Sequence, residues 1–272
     1  MIRVAILDLY NGEVNQGMRC IQDIVETFED VEYTIFDVRM KDQVPGLEFD
    51  IYISTGGPGS PLEGDGVWDI RYAEWMDSIW DWNQQDAVPK KHVFFICHSF
   101  QIAVNHFKLA KITKRKSQSF GTFPCHKTEE IEPVFSKLAD PFYIADFRDW
   151  QAVQPNWRRI EKMGAKIVAL EKVRPHVPLE RAVMAIRFSD EIFGTQFHPE
   201  ADPKAMLWHF MEESKRQKLI EEHGEEKYYR MIDDLRDWKK IKLTHDTVLP
   251  IFLEKAIDCV KRGSLVCSDN FR

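Results

Sequence analysis

The sequence predicts an α/β fold: a mostly parallel central sheet flanked by helices, continued by a helical C-terminal extension. Three observations carry that prediction. Short apolar runs of strand length occur at residues 2–9, 49–54 and 93–96, each ending in a polar or glycine-rich turn. Segments with apolar residues at helical spacing lie between them, so strands and helices alternate. After residue 205 strand signals stop, while helical periodicity continues to about residue 262. The chain therefore divides into an α/β unit, 1–205, and a helical extension, 206–272, that packs on it or on a partner.

The elements follow in order. Residues 2–9 read as a buried strand and 10–16 as a polar loop. Met18, Ile21, Ile24, Val25 and Phe28 share one helical face, which predicts a helix over 17–28. Residues 33–38 alternate and read as a second strand; 49–54 form a third, ending at TGGPGSP. An aromatic-rich helix is expected over 67–82, with its tryptophans packed on the sheet. Residues 117–125 and 130–134 read as short strands, and 165–171, 182–188 and 192–197 as three more. Asp190-Glu191 marks a tight turn between the last two. Pro203 suits the first turn of a helix. Breaks at His223-Gly224 and over 244–250 divide the extension into three helices.

Composition narrows the function. The net charge is −7, and KITKRK at 111–116 is the one basic cluster of note, read as a solvated helix end and turn. That balance argues against a nucleic-acid surface. No apolar stretch approaches the roughly 20 residues of a membrane span. The opening MIRVAILDLYNGE enters a strand pattern directly, without the basic and long apolar regions of a signal peptide. The five cysteines are scattered, with no CxxC, which fits a reducing compartment and no disulfide framework. A cytoplasmic protein is expected.

The chemistry centres on Cys97. The apolar run 93–96 stops at Cys97-His98-Ser99, and from Phe100 the spacing suits a helix. A nucleophile at a sharp strand-to-helix corner stands clear of the sheet, at a helix N-terminus where the dipole favours a thiolate. Such a cysteine needs a base and a group to orient that base. His198 and Glu200, in FHPE directly after a predicted strand, are the candidates. An oxyanion hole needs backbone N–H groups, which Gly57 in GGPG and His98, next after the nucleophile, can offer. Beyond the carboxyl ends of the strands is where an open α/β sheet holds its ligand, and Cys97 and the glycine loop both fall there.

TGGPGSP (55–61), ICHSFQ (96–101) and GTQFHPE (194–200) occur in the order and approximate spacing of class I glutamine amidotransferase domains, and the chain resembles that family over roughly residues 1–205. The resemblance implies flavodoxin-like layers and a Cys97-His198-Glu200 triad. Cys97 would attack the side-chain amide of glutamine, form a glutamyl thioester and release ammonia. Gly57 and His98 would supply the oxyanion N–H groups, and Gly59 and Gln101 would bind substrate. No cofactor and no metal are implied: His98 beside Cys97 and the Cys125-His126 pair lack the spacing of a metal site.

The chain also departs from the family pattern. Its elbow usually reads G-x-C-x-G-H-Q, whereas Phe95 and Ser99 stand where the glycines would be. A family loop carries a histidine before Arg-Asp or Gly-Asp; here Asp146-Phe147-Arg148-Asp149 puts Phe147 in its place. Phe100 and Phe147 make the pocket more apolar than a strict glutaminase needs. Among relatives the resemblance is greatest to GMP-synthase-type and γ-glutamyl-peptidase-type members. The chain has no pyrophosphatase loop or P-loop of its own, so ammonia would pass to a separate synthase subunit. Three classes stay open: an amidotransferase or glutaminase, a γ-glutamyl peptide hydrolase or other cysteine hydrolase on this fold, and a non-catalytic binding relative. The apolar faces at Met231, Ile232 and Leu235, and at Val248, Ile251, Phe252 and Ala256, pack on the α/β unit, pair a homodimer or dock a synthase.

Overall fold

The computed structural model describes residues 1–263 apart from positions 87, 177 and 238; Cys267 lies outside the described residues. Its strands are β1 (Ile2–Asp8), β2 (Val31–Asp37), β3 (Ile51–Ser54), β4 (His92–Ile96), β5 (Lys111–Lys127), β6 (Phe142–Val153), β7 (Lys166–Glu171), β8 (Val183–Arg187) and β9 (Ile192–Thr195). They form one sheet in the order β2-β1-β3-β4-β9-β8-β6-β5-β7. The first five neighbours are parallel. From β9 onward every pairing is antiparallel, and β7 also returns to β8, so this half curls back on itself.

The sheet is thus mixed where a mostly parallel one was expected. Parallel neighbours need a crossover of a dozen or more residues, whereas antiparallel neighbours accept a tight turn. The β8–β9 connection is such a turn, at Asp190-Glu191 as expected. The expectations erred most between residues 111 and 153. KITKRK lies in β5, paired with β6, and is no helix end. β6 was not anticipated: Phe142, Ile144, Asp146 and Arg148 are all buried, but the two charges break the apolar alternation of the sequence. Residues 130–134 form no strand. Pro133 lacks the N–H a ladder requires, and a single 3-10 turn, Pro133–Phe135, forms there instead.

Helices cover both faces. Successive residues of β1 point to opposite sides, Val4 and Ile6 into one apolar cluster, Ala5 and Leu7 into the other. The first cluster is closed by α1 (Gln16–Val25) and α9 (Lys239–Lys261). The second is closed by α3 (Trp68–Asn83), α4 (His98–His106) and α5 (Trp157–Met163), with the short α2 (Val38–Lys41) at its edge. Phe252 of α9 meets Phe94 of β4 edge to face, with centroids 5.1 Å apart.

Past residue 202 come α6 (Pro203–Met211), α7 (Glu213–His223), α8 (Glu225–Arg236) and α9. The break at His223-Gly224 is present, with Gly224 at φ +84°. The expected break over 244–250 is absent, because α9 runs through Pro250. Buried Val248, Leu249, Ile251, Phe252 and Leu253 hold the helix on either side of that proline. α6, α8 and the start of α9 build a third apolar cluster with Phe120 and Ala145. Cys20, Cys97 and Cys125 are free thiols.

Candidate active site

Cys97 joins β4 to α4 at φ +49°, ψ −97°, a left-handed conformation rare for a residue with a Cβ. The corner is held from both sides. Its amide donates to the Thr195 carbonyl at 2.8 Å. The Ser99 hydroxyl accepts from the Ile96 amide (2.8 Å) and donates to the Ser54 carbonyl (2.7 Å), tying the elbow to β3. Serine therefore makes two contacts here that glycine could not. Phe95 finds its room in the neighbouring strand, where it lies opposite Gly194. A Cβ on Gly194 would stand 2.9 Å from the Phe100 ring and 3.1 Å from the Phe95 Cβ.

His198 and Glu200 follow β9. The His198 amide donates to the Ala145 carbonyl at 3.0 Å, which anchors the loop on β6. Nδ1 of His198 lies 2.8 Å from Oε1 of the fully buried Glu200. The ring lines the same cavity as Cys97, whose charge also acts on it. Burial opposes charge on this imidazole, but Glu200 and then Cys97 outweigh it and hold its pKa well above the usual 6.5. The arrangement suits a thiolate–imidazolium pair. Gly56 backs the ring closely, since a Cβ there would fall 2.8 Å from His198 Cε1.

The glycine loop passes over β1. A Cβ on Gly57 would meet the Leu9 carbonyl at 2.3 Å, so only glycine fits. Arg39 fastens the loop by donating to the carbonyls of Pro58 (2.7 Å) and Leu9 (3.3 Å). Gly57 and Pro58 line the cavity at Cys97; Gly59, at φ +89°, turns toward Arg39 instead. The amide of His98, first residue of α4, has no partner within the helix and belongs to the free N-terminal donors. The His98 ring is buried. Burial, then Arg39, pushes its pKa down to about 3, so it is neutral.

Gln101 lies behind the cavity. Its side-chain amide donates to the Trp150 carbonyl and to the side chain of Gln196, both at 3.1 Å. Gln196 in turn points its amide at Cys97 Sγ, 3.9 Å away. The structure thus brings Cys97, His198, Glu200, Gly57 and the His98 amide to one place, and sets Gly59 and Gln101 one layer back.

The cavity measures about 390 Å³. Tyr10, Gly57, Cys97, His198 and Glu200 line it together with Phe120, Phe147, Met206, Phe210 and Leu219. The Phe147 ring lies 5.1 Å from Phe120, 5.8 Å from Phe210 and 6.2 Å from His198. Its carbonyl faces Cys97 Sγ at 3.8 Å. Residues of α6 and α7 also line the cavity, a contribution that no local pattern in the sequence signals. Tyr10 could have been anticipated, because it follows β1 at the carboxyl edge of the sheet. Its buried hydroxyl and Glu200 Oε2 have no hydrogen-bond partner among the described residues. No group of three or more His, Cys, Asp or Glu side chains among the described residues is placed to hold a metal. No described helix is long and apolar enough to cross a membrane.

Comparison with known proteins bears on the same stretch. A glutamine amidotransferase from Thermotoga maritima shares the fold with a TM-score of 0.70 at 15% identity, over 94% of this chain and 98% of that one. A GMP synthase-type protein from Thermoplasma acidophilum aligns with a TM-score of 0.52 at 16% identity, over 89% and 98%. The glutaminase domain of Trypanosoma brucei CTPS, solved with acivicin, aligns at 0.54 and 14% identity, over 74% and 86%. No curated protein sequence matches. The family described as glutamine amidotransferase class-I matches residues 13–215, which include the glycine loop, the elbow and FHPE, and the chain belongs to that family.

Proposed function

We propose that the protein cleaves the side-chain amide of glutamine through a glutamyl thioester. The Cys97 thiolate attacks the amide carbon, and the oxyanion is held by the Gly57 and His98 amides. The C–N bond breaks as His198 gives its proton to the departing ammonia. A water molecule, deprotonated by His198, then hydrolyses the thioester to glutamate and restores the thiol. Glu200 keeps the imidazole in its tautomer and balances its charge. Gly59 and Gln101 complete the substrate site, the first through the loop and the second through Gln196. One observation carries the reading: a histidine paired at 2.8 Å with the buried Glu200 lines the same cavity as the elbow cysteine.

The proposal extends to partners and setting. Residues 1–205 would act as the amidotransferase unit, with 206–272 as an extension that covers the site and meets a separate synthase or a second copy. The scattered cysteines, with no CxxC, suit a reducing compartment such as the cytoplasm.

A second reading is favoured by the aromatic part of the cavity's lining. γ-Glutamyl amides with an apolar leaving amine would seat that group against Phe120, Phe147 and Phe210. Ammonia or amine release from L-glutamine and from γ-glutamyl-phenylalanine, with Cys97→Ala as the blank, separates the two. Turnover of glutamine, lost in the variant, supports the first reading. Selective turnover of the dipeptide, reduced about tenfold in Phe210→Ala, supports the second. Silence on both, together with no labelling of Cys97 by a glutamine-analogue diazoketone, would leave a binding relative and overturn the proposal.

A further inference from the structure

A second cavity, of about 250 Å³, lies beside β5 and β6. Four basic side chains reach it: Arg115 from β5, Lys172 and Arg174 from the segment after β7, and Lys227 from α8. Two carboxylates face it, Asp146 and Glu171, and both are already engaged. Asp146 accepts from Arg148 Nε at 2.8 Å and from the Ser119 hydroxyl at 2.6 Å. Glu171 takes Arg115 (3.1 Å), Arg148 (3.2 Å) and Arg174 (2.8 Å).

Among the described residues neither lysine is ion-paired with a carboxylate. Among the described residues Lys172 has its ammonium 4.0 Å from the centre of the Phe123 ring, and Lys227 donates to the Gln118 carbonyl at 3.2 Å. A network that served only to stabilise the fold would match its charges. This one leaves a positive excess pointing into a space, in a protein whose net charge is −7. The excess is under stress. Burial lowers the proton affinity of Arg115, Lys172 and Lys227 alike. Arg148 adds to that at Arg115, where Glu171 and Asp146 oppose it; Arg115 adds to it at Lys227; at Lys172 Glu171 opposes it more strongly than Arg174 adds to it.

We infer that this cavity binds a phosphate group, free or carried on a small metabolite, between Arg115, Lys172, Arg174 and Lys227. Cations arriving from three separate elements surround a tetrahedral oxyanion better than a planar one, and guanidinium groups grip phosphate through paired N–H donors. The exposed Ser117 adds a hydroxyl to the wall. The position gives the site a bearing on the reaction. Gln118 lines both this cavity and the one at Cys97. Asp146 and Arg148 flank Phe147, whose carbonyl faces the Cys97 sulfur. A bound phosphate would therefore press on the strand that shapes the thiol's surroundings.

Titration calorimetry on the full chain, with inorganic phosphate and with glycerol 2-phosphate, tests this. The expected result is saturable one-to-one binding that weakens with added salt. Lys172→Gln and Lys227→Gln should each weaken it about tenfold. Their melting temperatures without anion should be unchanged or raised, since repulsion is relieved. Lys166→Gln, on an exposed part of β7, should bind like the parent. A stronger response to glycerol 2-phosphate would assign the site to a phosphoester, and a stronger response to phosphate would assign it to the free ion. Absence of saturable binding by the unaltered protein at millimolar anion overturns the inference. So does equal binding by the two lysine variants, or an equal loss in Lys166→Gln.

Discussion

Replacing Glu200 by glutamine tests the proposed chemistry most directly. The substitution keeps the shape of a fully buried side chain and removes its charge. In the parent, Glu200 Oε1 accepts from His198 Nδ1 at 2.8 Å, and Glu200 is the foremost influence raising the His198 pKa. Removing one partner of a buried ion pair costs about 3–5 kcal/mol. A glutamine carbonyl can still accept from Nδ1 and recover about 1 kcal/mol. The remaining 2–4 kcal/mol, at about 1.4 kcal/mol per decade, gives a fall in kcat/KM of roughly 30-fold to 10³-fold. The pH profile supplies the sharper readout. Protonated His198 is the donor to the leaving group, so activity is lost as pH rises through its raised pKa. Without Glu200, burial dominates, the pKa falls, and the alkaline limb must move to lower pH. Stability follows the same sign: the stabilisation from charged His198 is complete below about pH 6.5 and disappears as pH rises through the raised folded value. A glutamine variant with kcat/KM within threefold of the parent and an unmoved alkaline limb would refute the assignment.

Other expected outcomes concern packing around the site. Gly57→Ala forces a Cβ to within 2.3 Å of the Leu9 carbonyl; the displaced loop should lower kcat by about 10²-fold to 10³-fold while the fold survives, as read by steady-state kinetics beside circular dichroism. Gly194→Ala drives a methyl against the Phe100 ring and the Phe95 Cβ and should cost about 1–3 kcal/mol in denaturant unfolding. Phe252→Ala leaves a void beneath Phe94 and should cost about 3–5 kcal/mol, whereas an α9 that only rests on the surface would lose far less.

Much of the parallel half was legible in the sequence. Apolar runs such as 93–96 and the helical spacing over 17–28 report burial through a local period, and local periods survive any tertiary arrangement. The edges shifted by a few residues, as helix and strand ends do. β5 and β6 were poorly legible because Asp146, Arg148 and Arg115 break the apolar alternation. Those charges are tolerated inside only because they find one another and Glu171 across three strands. Pro250 misled in the opposite direction: a local helix breaker was overruled by apolar side chains anchored on the sheet.

The amino-acid sequence by itself determined the strand-to-helix corner at Cys97, the glycine loop, FHPE and their order, because each is a short motif written in contiguous residues. Tertiary structure alone decided that Gly194 makes room for Phe95, that Gln196 and Phe147 face the thiol, and that α6 and α7 line the cavity. Those facts join residues that the chain keeps far apart, and only packing brings them within reach of one another.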